Sequence, residues 1–185
     1  MYLGARSSAP VRSANDEHGV VPMNQKKLAA LFQRLGASHP DGWARSQLEE
    51  GFPQLARFLF LRQAWRAVVD EADPTWITAA VARAESEPEE PYAGVGHALR
   101  RLRGRGATDE ELTDLVRGMQ AELLFQFCYL LEDPGDLEPE VADISWCLVQ
   151  TDADGKVIAN VTGLHESVLE TDPTGREMRP RAPLD

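Results

Sequence analysis

Twenty-five residues, Thr108 to Glu132 (TDEELTDLVRGMQAELLFQFCYLLE), constrain this chain more than any other stretch. The Thr108 side chain can accept from the Glu111 amide while Glu111 reaches back to the Thr108 amide, the reciprocal cap that opens many helices. Leu112, Leu115, Val116, Met119, Leu123, Phe127 and Leu130 recur at steps of three or four, although not always singly. That spacing predicts a central helix with one stripe against a core throughout. From Leu123 to Leu131 only Gln126 is plainly polar, so the last turns are expected to have neighbours on nearly every side.

A chain of 185 residues, 43% apolar and 26% charged, is long enough to bury a full core and too apolar to be disordered. Its net charge of -11 is uneven. Residues 133–185 hold 4 Lys/Arg against 12 Asp/Glu, a net of -8, while residues 1–132 hold 15 against 18, a net of -3. Such a balance repels phosphate backbones and favours basic partners over nucleic acid. Two cysteines are too few for a disulfide scaffold, so Cys128 and Cys147 are expected to be core thiols in a reducing cytoplasm. Neither a signal-like apolar segment in residues 1–22 nor a membrane-spanning run is visible, so no membrane partner is expected.

Taken in order, residues 1–22 are small and polar and are expected to form an extension, with Met23 a candidate physiological start. Asn24 caps a first helix that Gly36 stops, and a second is expected from Asp41 to Glu50 through Trp43 and Leu48. Pro53 opens a longer one ending near Glu71, in which the FLFL run at 58–61 must be buried on more than one side. Asp73 and Pro74 start a helix through Ala84, ESEPEEP at 85–91 is a solvated connector, and Tyr92 to Arg103 is a helix weakened by Gly94 and Gly96.

Residues 133–143, DPGDLEPEVAD, are acidic and rich in turn formers, which predicts an exposed link. Ile144 to Gln150 and Lys156 to Val161 then flank Asp152-Ala153-Asp154-Gly155 as a β-hairpin. With Asp152 opposite Lys156, Val149 faces Ala159 and Cys147 faces Val161 on the drier side. Leu164, Val168 and Leu169 are expected to turn inward, and the rest of the tail has no period.

The densest chemical cluster is His165, Glu166, Glu170, Asp172, Arg176 and Glu177. A histidine beside a carboxylate can move a proton near neutral pH, and an arginine can grip an anion in a two-bond fork. His165-Glu166 begins like a zinc-protease HExxH, but Leu169 stands where the second ligand belongs. The alternative to catalysis is that His165 and Arg176 tie the tail to the body. Asp152 to Gly155 resembles a piece of a calcium loop, yet Gln150 and Val161 occupy its first and twelfth positions, and a hairpin turn explains the same residues. RRLRGR at 100–105 has no interleaved aromatics for base stacking, and Gly94-Val95-Gly96 lacks the third glycine of a dinucleotide loop. The four histidines and two cysteines show no zinc spacing, so neither metal nor cofactor is expected.

The expectation is a predominantly α, α+β protein: five or six helices over residues 23–132, the link at 133–143, and at 144–185 a hairpin and an ordered tail packed on the helices. The preferred function is a non-enzymatic cytoplasmic interaction or regulatory protein whose Asp136, Glu138, Glu140 and Asp143 steer a basic protein partner. Immunity proteins share this acidic composition, an analogy of composition alone. The alternative is a small hydrolase or transferase using His165, Glu166 and Arg176. A homo-oligomer through the hairpin edge is the other assembly an open strand invites.

Overall fold

The computed structural model describes residues 23–135 and 137–181. Among them are seven helices and one antiparallel hairpin, a predominantly helical α+β fold. The expected extension, residues 1–22, lies outside the described residues. No helix among those described is long and apolar enough to cross a membrane.

Helix α1 (Gln25–Leu35) begins on Asn24, whose side chain accepts from the Lys27 amide at 3.0 Å, and closes at Gly36. With α2 (Pro40–Glu49) and α3 (Gln54–Trp65) it forms the first core. Phe32, Trp43 and Phe58, one from each helix, meet with ring centroids 5.6 to 5.9 Å apart. Two of those contacts are edge-to-face, a geometry worth about 1 kcal/mol beyond burial alone. Leu48 and Leu59, both expected inward, are exposed.

The expected helix to Glu71 ends instead at Trp65. The physical reason lies on another element. The Val69 amide donates to Gln120 and the Val69 carbonyl accepts from Arg117, both at 2.8 Å. Side chains from the sixth helix thus satisfy backbone groups that a longer α3 would have paired internally.

Helix α4 (Thr75–Ser86) starts where Asp73 accepts from the Thr75 amide at 3.0 Å, and packs against α5 (Ala93–Arg103). A Cβ on Gly96 would sit 2.2 Å from the Ala80 carbonyl oxygen, so this glycine sets how closely the two helices approach. Ile77, Leu99 and Leu112 form a second core between this pair and the N-terminal end of α6 (Asp109–Leu130). The Trp76 indole donates to the Thr113 hydroxyl at 3.2 Å across the same contact.

Both halves of the Thr108–Glu111 capping box are present, but the expected stripe of α6 is not against a core. Of its seven members only Leu112 is buried and Val116 half-buried. Leu115, Met119, Leu123, Phe127 and Leu130 are between 44% and 64% exposed. The side turned inward carries Thr113, Arg117, Ala121 and Cys128. Its small residues leave room for Leu61 and Trp65 of α3 and for Val161, Leu164 and Val168 of the tail, which complete the third core. Arg117 fixes the rotation of the helix through its bonds to the Val69 carbonyl and Asp172.

Strands β1 (Val149–Thr151) and β2 (Val157–Asn160) form the hairpin. Asp152 and Lys156 are paired as expected, the Asp152 amide donating to the Lys156 carbonyl at 3.0 Å. A bulge then shifts the register, so Val149 lies opposite Asn160 rather than Ala159. A slip of one residue exchanges the faces. Leu148 therefore packs on the third core and Cys147, expected there, is exposed. In the tail, α7 (Leu164–Ser167) and Val168 turn Leu164 and Val168 inward, while Leu169 points out.

Candidate functional site

The C-terminal end of α6 and the start of α7 are joined by one carboxylate. Glu132 accepts from the Gly163 amide at 2.6 Å, from the Leu164 amide at 2.5 Å, and lies 3.3 Å from Nδ1 of His165. Burial pushes the Glu132 carboxyl up, but the two amides and His165 outweigh it and hold the group below its ordinary range. The His165 ring stands edge-on to Phe125 and Tyr129, with centroids 5.9 and 5.1 Å away.

Arg57 of α3 closes the other side. It is 8% exposed, and its Nη1 donates to the Ser167 hydroxyl at 3.4 Å while Nε has no partner. Burial lowers its pKa, opposed by the charges of Glu166, Glu132 and Glu170. A Cβ on Gly163 would fall 2.3 Å from the Arg57 guanidinium, and φ there is +69°, so only glycine suits this position. Between these groups opens a cleft of about 370 Å³ whose walls include Glu50, Phe52, Arg57, Glu132, His165 and Glu166. Three carboxylates against one guanidinium make it a better seat for a cation than for an anion.

His165 and Glu166 thus share the cleft, but Arg176 does not line it. Arg176 bonds Glu71 and the Arg179 carbonyl beside a separate ion cluster. There Arg117 donates to Asp172 at 2.6 Å and lies 5.1 Å from the Trp65 ring centroid. Asp172 also accepts from Thr174 at 2.7 Å and from the Met178 amide at 3.1 Å. Burial raises the Asp172 carboxyl, and these bonds with the Arg117 charge bring it below its usual range. Arg181 meets Asp114 at 2.7 Å and Glu110 at 3.1 Å. The tail cations Arg176 and Arg181 are therefore engaged with the body of the chain, Arg176 at the α3–α4 connection and Arg181 on α6.

The acidic link is different. Glu138, Glu140 and Asp143 are exposed, and among the described residues none forms an ion pair; Asp136 lies outside them. The basic patch is partly matched within the chain, Arg100 to Glu85 at 3.3 Å and Arg103 to Asp109 at 2.9 Å. Among the described residues no three His, Cys, Asp or Glu side chains converge as metal ligands would.

Sequence reasoning missed Glu132, Arg57 and Arg117. A signal existed for Arg57, which interrupts the apolar run from Leu55 to Leu61, but not for Arg117, whose neighbours at helical spacing are Thr113, Asp114, Gln120 and Ala121. No family model matches the chain, and neither a curated protein nor a solved structure matches it.

Proposed function

We propose that this chain is a non-enzymatic, cytoplasmic interaction or regulatory protein that presents an acidic surface to a basic protein partner. The observation that carries this reading is the contrast between engaged tail cations and unpaired link carboxylates. Arg176 is bonded to Glu71 of the α3–α4 connection and Arg181 to Glu110 and Asp114 of α6, whereas Glu138, Glu140 and Asp143 stand exposed without an ion pair among the described residues. Charges left in solvent steer encounter more than they stabilise a fold.

Affinity capture at low and high salt, followed by association kinetics on the recovered partner, tests it. Neutralising the set as Glu138→Gln, Glu140→Gln and Asp143→Asn, with Asp136→Asn, should slow association and flatten its salt dependence. Unchanged kinetics remove the link from the contact. A homo-oligomer through the edge of the β1–β2 hairpin instead predicts a sedimentation mass that rises with concentration.

A second reading, a small hydrolase or transferase, draws on the His165–Glu132 contact in the cleft. In it Glu132 orients the imidazole and Glu166 stands beside it, while Arg176, the expected anion clamp, is held at the separate ion cluster by Glu71. A screen of ester and phosphoester substrates tests this: any turnover retained by His165→Ala excludes His165 as the essential base.

A further inference from the structure

Beyond the buried Leu112, a row on the outer face of α6 from Leu115 to Leu130 is exposed. Leu115, Met119, Leu123 and Phe127 follow one another at steps of four, and Leu130 follows Phe127 by three. At 1.5 Å per residue this row runs about 22 Å. Trp146, whose indole donates to the Leu130 carbonyl at 2.5 Å, and the exposed Tyr129 extend it at its C-terminal end. Each of these seven side chains is two-fifths or more exposed. Together they present a row of mostly apolar surface of the kind that marks interaction sites.

We propose that this row docks an amphipathic helix of a partner protein, with the apolar face of that helix rimmed by Lys or Arg. The form follows from the row: side chains four apart on a straight helix make a ridge, and a ridge packs into the groove of another helix. The sign of the partner follows from charge. Helix α6 carries five carboxylates and one cation, and that cation, Arg117, is buried. The helical repeat sets Glu111 and Glu122 along one flank of the row, and Asp133 follows its C-terminal end. A second copy of this chain is the poorer occupant. A two-fold axis through the middle of the row would bring the Glu122 flanks of two chains, each of net charge -11, toward one another. The inference rests on the acidic-surface reading for the charge of the partner, and adds the place of contact and the partner's form.

The test titrates the full chain into a labelled peptide of about 18 residues with Leu on one helical face and Lys elsewhere, read by fluorescence anisotropy. A scrambled isomer and a Leu/Glu counterpart serve as controls. The Leu/Lys helix should bind one per chain and more tightly than either control. Met119→Gln with Leu123→Gln should weaken it about tenfold or more, with unchanged far-ultraviolet circular dichroism showing that the fold is intact. Equal binding by that variant and the parent overturns the proposal, as does equal binding of the Leu/Glu or scrambled peptide. A dimer in sedimentation that the same double variant dissolves also overturns it, by giving the row to a second copy. The link variant separates the two readings. Binding that depends on the link but not on α6 leaves the acidic surface standing and refutes the docking row, and the reverse dependence does the opposite.

Discussion

The inner face of α6 carries Thr113, Arg117, Ala121 and Cys128 beside half-buried Leu124 and Phe125, whereas its outer face carries Leu115, Met119, Leu123 and Phe127. Burial therefore falls partly on small and polar residues, while most of the large apolar side chains of the helix are exposed. The inner face works because its small residues let α3 and the tail come close, and because every strong demand of Arg117 except that of Nε is met. The outer face has apolar surface without neighbours. Helical periodicity establishes that a helix has two kinds of side; what each side meets is decided by hydrogen bonds made from other elements.

The contrast between the two faces depends most on the inner ion pair. Asp172→Ala would leave Arg117, 2% exposed, without the carboxylate that lies 2.6 Å from it. Removing one member of a buried pair costs about 3–5 kcal/mol, because the remaining charge is stranded. Urea unfolding of this variant should show a loss of that size. A loss under about 1 kcal/mol would mean that the nearby Glu71 suffices, and that the inner face does not depend on Asp172.

Much of this fold was legible in the sequence. The Asn24 and Thr108 caps, the Gly36 stop, the turn at Asp152 and the inward Leu164 and Val168 all depend on residues near one another in the chain. Local chemistry decides such features, so local reading finds them. The end of α3 was not legible, because the groups that stop it, Gln120 and Arg117, lie about fifty residues away. The hairpin faces were misread for a related reason: one extra residue at Ile158 exchanges Cys147 for Leu148, and nothing in the β-prone pattern announces a bulge. Of the candidate site, His165 and Glu166 were visible as a cluster, but their cleft mate Arg57 and the anchor Glu132 come from α3 and the end of α6. Arg176 was grouped with them by proximity in sequence and belongs to another cluster in space.

A smaller effect falls at the C-terminal end of α6, through pH. Glu132 and Asp172 both titrate below their ordinary range in the folded chain. A carboxyl held low in the fold stabilises it above the unfolded value, about 4, and that contribution drains away as pH falls through the folded value. Stability should thus be flat near neutrality and decline below about pH 5. Glu132→Gln, which keeps the shape but accepts fewer bonds from the Gly163 and Leu164 amides, should be less stable at pH 7 and lose less between pH 5 and 3. An unchanged acid slope would assign the decline to Asp172 alone.

The smallest expected effect falls on the outer face. Leu123→Gln exchanges an exposed apolar side chain for a polar one of similar reach and helix propensity, on a surface where no neighbour is lost. Away from packed or bonded positions, such changes stay within about 0.5 kcal/mol. The inner face offers the matched contrast. Ala121→Leu forces three extra carbons between α6 and the third core, where overpacking costs about 1–3 kcal/mol. If Leu123→Gln costs as much as Ala121→Leu in urea unfolding, the row is already covered in the free chain, and the contrast between the two faces fails. If it costs almost nothing, the free chain carries Leu123 at no benefit to its own stability, and the gain from burying it is left to be realised when another helix arrives.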